Sequence, residues 1–117
     1  MSTSTANQAQ AQPIRIQFAT GQTSATIEGK ITRNGEQVKY MFGAQAGQQM
    51  TLNVTTSPDG FYVNEVITYA NGATDGPIPT PFATEIPETG DNYITISTNQ
   101  MASTIYTGNF VLTLEIN

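Results

Sequence analysis

Apolar side chains fall at every second position in run after run of this chain. Only a β-strand turns that spacing into a single buried face. The cleanest run is Phe110, Leu112, Leu114 and Ile116. Val38, Tyr40 and Phe42 make another, joined through Ala46-Gly47-Gln48 to Met50, Leu52 and Val54. Ile14, Ile16 and Phe18 open the series, Ala25, Ile27, Gly29 and Ile31 follow, and Ile94 and Ile96 come late. Residues 61–69 also read as a strand, with the inward face open because Phe61, Val63 and Ile67 oppose Tyr62 and Val66. No window carries a helical stripe. The pattern predicts an all-β fold, an antiparallel two-sheet β-sandwich, jelly-roll-like, of seven to eight strands.

Glycine, proline and asparagine punctuate these runs. Asn34-Gly35 is a strong hairpin signal, so residues 24–33 are expected to pair antiparallel with 36–45 through a type I′ turn. Ser57-Pro58-Asp59-Gly60 is a turn in which proline presets φ and glycine accepts a positive one. Asn71-Gly72 and Asp75-Gly76 open a long irregular loop through Pro77, Pro79 and Pro81, with Phe82 and Ile86 as its anchors to the core. A polar loop over 98–108 precedes the last strand. With 117 residues there is room for one core, placed at 13–117. Residues 1–12 are a polar tail, and the rhythm Ala6, Ala9, Ala11 also fits a remnant left by signal removal.

Composition removes whole classes of chemistry. There is no Cys and no His, hence no thiolate, no disulfide, and neither the commonest general base nor the commonest transition-metal ligand. Only 11% of residues are charged, so the surface is built from Thr, Asn, Gln and Ser, a composition that suits exported, periplasmic or extracellular β proteins. Net charge is −5, and Arg15, Lys30, Arg33 and Lys39 are too few to track a phosphate backbone, which argues against nucleic acid. No apolar run approaches the roughly 18 residues of a membrane span.

Candidate reactive groups are ordinary in this setting. Glu85 with Glu88, or Asp59 with Asp75, could in principle form a glycosidase pair, but all sit in turn-rich segments that favour solvated carboxylates. Oxygen-rich turns at Asp59, at Asn71 and Asp75, and at Glu88, Asp91 and Asn92 lack the spacing of a calcium loop, although one end of a sandwich could gather them. No catalytic residue, metal ligand or cofactor is assigned. Tyr40 and Phe42 share the core-facing parity and read as packing. The binding feature favoured is the tip of the 98–108 loop, with Asn99, Gln100 and Tyr106 as its contact residues.

The order IRIQFATGQTSATIEGKI, QVKYMFGAQAGQQMTLNV, IPETGDNYITI, FVLTLEI resembles the bacterial pre-peptidase C-terminal domain family over about residues 14–117. Within that look-alike group it is similar to the periplasmic inhibitors of goose-type lysozyme. The resemblance implies a compact exported sandwich that binds or targets rather than catalyses. In the inhibitors a loop between the last two strands enters the enzyme's cleft with basic and polar side chains. The matching segment here, TNQMASTIYTG, has no Arg or Lys. A second departure is Asp91-Asn92 before Tyr93, where the family has one residue, and it implies a β-bulge at Tyr93. The reading is a non-enzymatic module that recognises protein or cell-wall polysaccharide. The alternative is a structural subunit of a surface assembly, with homo-oligomers possible.

Overall fold

The computed structural model describes residues 12–117, so apart from Gln12 the polar tail lies outside the described residues. Nine strands run in chain order: β1 (Ile14–Arg15), β2 (Ser24–Ile31), β3 (Gln37–Ala44), β4 (Gln49–Ser57), β5 (Val63–Thr68), β6 (Thr74–Asp75), β7 (Phe82–Glu85), β8 (Gly90–Thr98) and β9 (Gly108–Ile116). One sheet has the order β1-β3-β8-β5-β6, the other β2-β9-β4-β7. Consecutive strands switch sheet at nearly every step from β2 onward, the winding of a jelly roll. The count exceeds the seven to eight expected because β6 and β7 form within the segment read as one irregular loop. All pairings are antiparallel except β1 with β3, where Ile14 lies opposite Tyr40.

The expected hairpin of 24–33 with 36–45 does not form. β2 pairs with β9 and β3 pairs with β8, on opposite sheets. The Glu36 N–H donates to the Arg33 carbonyl (3.2 Å). Gly35 takes φ +89° while no non-glycine residue among the described ones has positive φ, Asn34 included. That is type II geometry, which splays the flanking strands, whereas type I′ needs both central residues at positive φ. The tight hairpin belongs to the other Asn-Gly. β5 and β6 turn at Asn71-Gly72, where the Gly72 N–H donates to the Tyr69 carbonyl (2.9 Å).

The core is the set of inward faces that alternation marks. Phe42, Met50, Leu52, Ile94, Ile96, Leu112 and Leu114 are fully buried, and Tyr40 meets Phe110 edge to face at 6.2 Å. Gly29 makes that contact possible, since a side chain there would overlap the Phe110 ring and the Tyr40 hydroxyl. Ile78 and Ile86 tie the stretch between β6 and β8 to the core, with Phe82 half-buried beside them. Each such side chain contributes about 1.5–3 kcal/mol on burial.

Four buried positions are polar: Glu65, Asn92, Thr98 and Ser103. The β3–β8 register runs without interruption from Gln37 opposite Ser97 to Ala44 opposite Gly90, so no bulge occurs at Tyr93. Asn92 takes the inward position instead. Its Oδ1 accepts from the Ala70 N–H (3.0 Å) and its Nδ2 donates to the Gly90 carbonyl (3.3 Å), so the buried amide is satisfied. Tyr93 points to the outer face.

Glu65, buried like Asn92, settles the parity of β5. It faces inward with Val63 and Ile67, and 6% of its surface is exposed. Burial pushes its carboxyl up from 4.5 to about 7, with only its own backbone N–H acting the other way. The fold therefore favours the neutral acid, and stability falls as pH rises from about 4.5 through about 7. The carboxyl opens on a cleft of about 240 Å³ beside Thr56, Ile78 and Thr80, which trims the cost of ionisation to about 1–2 kcal/mol. Glu65→Gln should match the wild type in urea unfolding at pH 4 and exceed it by that amount at pH 8. Equal stability at both pH values would refute the assignment.

Candidate functional site

The register places three sheet-crossing connections at one end of the sandwich. Ile31 lies opposite Gly108, Ser57 opposite Asn109, Val63 opposite Thr98 and Gln37 opposite Ser97. The connections 32–36, 58–62 and 99–107 therefore share this end. Crossing between sheets costs each of them its ladder hydrogen bonds, so their backbones must find other partners.

They find one another. In the 99–107 loop, the Asn99 N–H donates to the Tyr62 carbonyl (2.8 Å). The Tyr62 N–H donates to Ser103 Oγ (2.9 Å), and that hydroxyl donates back to the Tyr62 carbonyl (2.9 Å). The N–H groups of Thr104 and Ile105 both donate to the Gly60 carbonyl, at 2.8 and 3.2 Å. Gly60 has φ +93°, and any side chain there would strike Thr104. Across the end, Gln100 Nε2 donates to Asn34 Oδ1. In the 32–36 connection Glu36 accepts from the Thr32 N–H (2.6 Å) and hydroxyl (2.9 Å), and the former holds its carboxyl below the ordinary range.

The three sequence-predicted residues meet here but do different work. Asn99 is a turn-former: its Oδ1 accepts from the N–H groups of Met101 and Ala102, both at 3.1 Å. Gln100 braces the loop against the 32–36 connection. Tyr106 remains a surface group, 39% exposed, with its carbonyl accepting from the Thr98 hydroxyl (3.2 Å). Met101, 96% exposed, Ile105 and Tyr62 are exposed at the same end, and only Ile105 went unweighed in the sequence. Four of the six large apolar side chains exposed among the described residues therefore lie at this end. Tyr62 stands 37 positions before Asn99, and no local pattern joins the two.

The arrangement suits recognition by contact. It offers apolar and amide groups on a loop pinned at its middle, and residues 99–107 carry no charge. Arg33, next to Asn34, is the cation nearest in sequence to these bonded groups, and Asp59 and Glu36 are the acids of the other two connections. Among the described residues no group of three His, Cys, Asp or Glu side chains could hold a metal ion. The oxygen-rich turns do not gather: Asp59 lies at this end, Asn71, Asp75, Glu88, Asp91 and Asn92 at the other. That separation also parts Asp59 from Asp75 as a carboxylate pair.

No protein-family model matches the chain, and no curated protein sequence does. Solved structures do. Aeromonas hydrophila PliG, a periplasmic lysozyme inhibitor of g-type lysozyme, superposes with a TM-score of 0.72 at 22% identity. The match covers 92% of this chain and 97% of that one. Salmonella Typhimurium PliG, likewise a periplasmic inhibitor of g-type lysozyme, gives 0.68 at 15% identity over 91% and 98%. A mutant of the Escherichia coli PliG gives 0.69 at 17% over 90% and 97%. At these identities the likeness establishes a shared fold.

The pinning makes a testable claim about the loop. Gly60→Ala forces a strained φ and a clash with Thr104, so it should destabilise the protein by about 1–3 kcal/mol. Asn99→Ala should speed amide exchange at Met101 and Ala102 while leaving the β8 and β9 core amides protected. Unchanged exchange in both variants would show that these bonds do not hold the loop.

Proposed function

We propose that this protein is a non-catalytic, periplasmic protein that binds goose-type lysozyme and inhibits it. The 99–107 loop, flanked by Tyr62 and Arg33, forms the contact. The observation that carries this reading is a fold shared with PliG inhibitors along nearly the whole length of both chains. The pinned loop supports it, because a surface ordered before binding loses little conformational entropy on docking. The absence of His and Cys from the chain fits a role without catalysis.

The chemistry of the contact follows from the side chains. Tyr106, Tyr62, Ile105 and Met101 supply apolar area, and aromatic anchors of this kind carry most of the energy in protein interfaces. The amides of Gln100 and Asn34 can meet the polar groups that line a polysaccharide-binding cleft. Glycosidase clefts carry carboxyl groups, and Arg33 provides the positive charge that the loop itself lacks. With a single cation at the contact, affinity should depend only weakly on salt.

The test is a titration of goose-type lysozyme activity with the purified protein. Inhibition should saturate at one inhibitor per enzyme. Tyr106→Ala should raise the Kd at least tenfold and Arg33→Ala several-fold, while Asn71→Ala at the opposite end should leave it unchanged. Absence of inhibition at equimolar protein would overturn the proposal, as would inhibition indifferent to Tyr106 and Met101. Calorimetry against peptidoglycan fragments separates the competing role: glycan binding without inhibition would identify a wall-targeting module.

A further inference from the structure

The flank of the sandwich beside β2 is chemically incomplete. β2 is the outermost strand of its sheet, and among the described residues nothing pairs with its outer edge. The strand is eight residues long, without proline, and its register with β9 is unbroken. Such an edge is a template for another strand, and proteins usually guard it with charge, proline or a bulge. The charges on β2 are Glu28 and Lys30, both exposed on the outer face. Above it, in the other sheet, β1 covers β3 only opposite Tyr40 and Met41. A groove of about 370 Å³ separates the two edges, lined by Ile14, Gly29, Lys30, Val38 and Tyr40 among others. Ile14, 53% exposed, lines this groove together with Glu28, Gly29 and Lys30.

We propose that this flank is a homodimer interface, in which β2 pairs antiparallel with the β2 of a second copy about a two-fold axis through Gly29. Keeping inner faces inward requires that opposed residues share parity, which leaves a short set of registers. Centring on Glu28 opposes it to its own copy, and centring on Lys30 does the same to the lysine. Centring on Ile27 pairs neither charge. Centring on Gly29 sets each Glu28 opposite the other copy's Lys30, satisfying both charges twice, and opposes Ile27 to Ile31. The exposed Ile14, in the same groove, adds apolar area beside that charge register. The interface is isologous and closes at two copies. Lys30, which would repel most strands as a lone edge charge, becomes the group that selects a second copy of this chain.

The geometry leaves the 99–107 loops of the two protomers at opposite ends of the dimer. The inference does not depend on lysozyme binding and its test is separate. Sedimentation equilibrium of the full chain, from about 10 µM to 1 mM in 0.15 M salt, should show a reversible monomer–dimer equilibrium. Lys30→Glu and Glu28→Lys each oppose like charges twice, and each should weaken dimerisation at least tenfold. The double variant Glu28→Lys/Lys30→Glu should restore it, which also shows that substitution at these exposed positions leaves the fold intact. Ile14→Ser should weaken it several-fold. A monomer across the whole range would overturn the proposal. So would a dimer unaffected by the single charge reversals, or one that the double reversal fails to rescue.

Discussion

β8 and β9 each pair along both edges, and their inward faces supply much of the core: Ile94 and Ile96 from one, Phe110, Leu112, Leu114 and Ile116 from the other. The two sheets are held together where these faces meet. Tyr40 comes from the strand beside β8, Phe110 from β9, and Gly29 leaves room for their edge-to-face contact. Interiors this dense transmit strain, so a side chain at Gly29 or a cavity at Phe110 would be felt in both sheets.

That arrangement explains how an uncharged loop can be a useful surface. The 99–107 segment leaves the most heavily paired strand of one sheet and enters the most heavily paired strand of the other. Its ends inherit the stability of the core. Its middle is tied to Gly60 and Tyr62, which themselves follow the central strand β4. The backbone that carries the exposed Tyr106 and Met101 side chains is thereby held in place. The opposite end of the sandwich is built differently. Polar groups there bond among themselves, as in Tyr69 Oη to Asp75 (2.7 Å) and Asn92 to Ala70, and none of the exposed large apolar groups among the described residues lies there.

The sequence reading succeeded where physics is local. Alternation gave the inward faces of β2, β4 and β9 residue by residue, because side-chain direction along a strand has a fixed period of two. It failed where partner choice is tertiary. Asn34-Gly35 signalled a hairpin, and the chain used the same dipeptide to cross between sheets, with the close hairpin formed at Asn71-Gly72 instead. Tyr93 was expected at a bulge, and an uninterrupted ladder placed Asn92 inward with its amide satisfied. Glu65 was invisible as a core residue because an acid on a β-rich stretch ordinarily marks the solvent face.

The site was legible in outline only. The 98–108 segment could be read from its composition as a connection, since a polar segment between two strong strands must be one. Asn99 and Gln100 proved to be the loop's own fastenings, and Tyr62, Met101 and Ile105 joined Tyr106 as the exposed groups. By itself, then, the sequence determined that the chain is all-β, which residues most of its strands bury, and which reactive groups it lacks, because these follow from side-chain chemistry and a period-two backbone. Only the tertiary structure decided which strands pair, which connections share an end and which edge is left open. Those depend on how two sheets twist and face one another, a relation between residues tens of positions apart that no local pattern encodes.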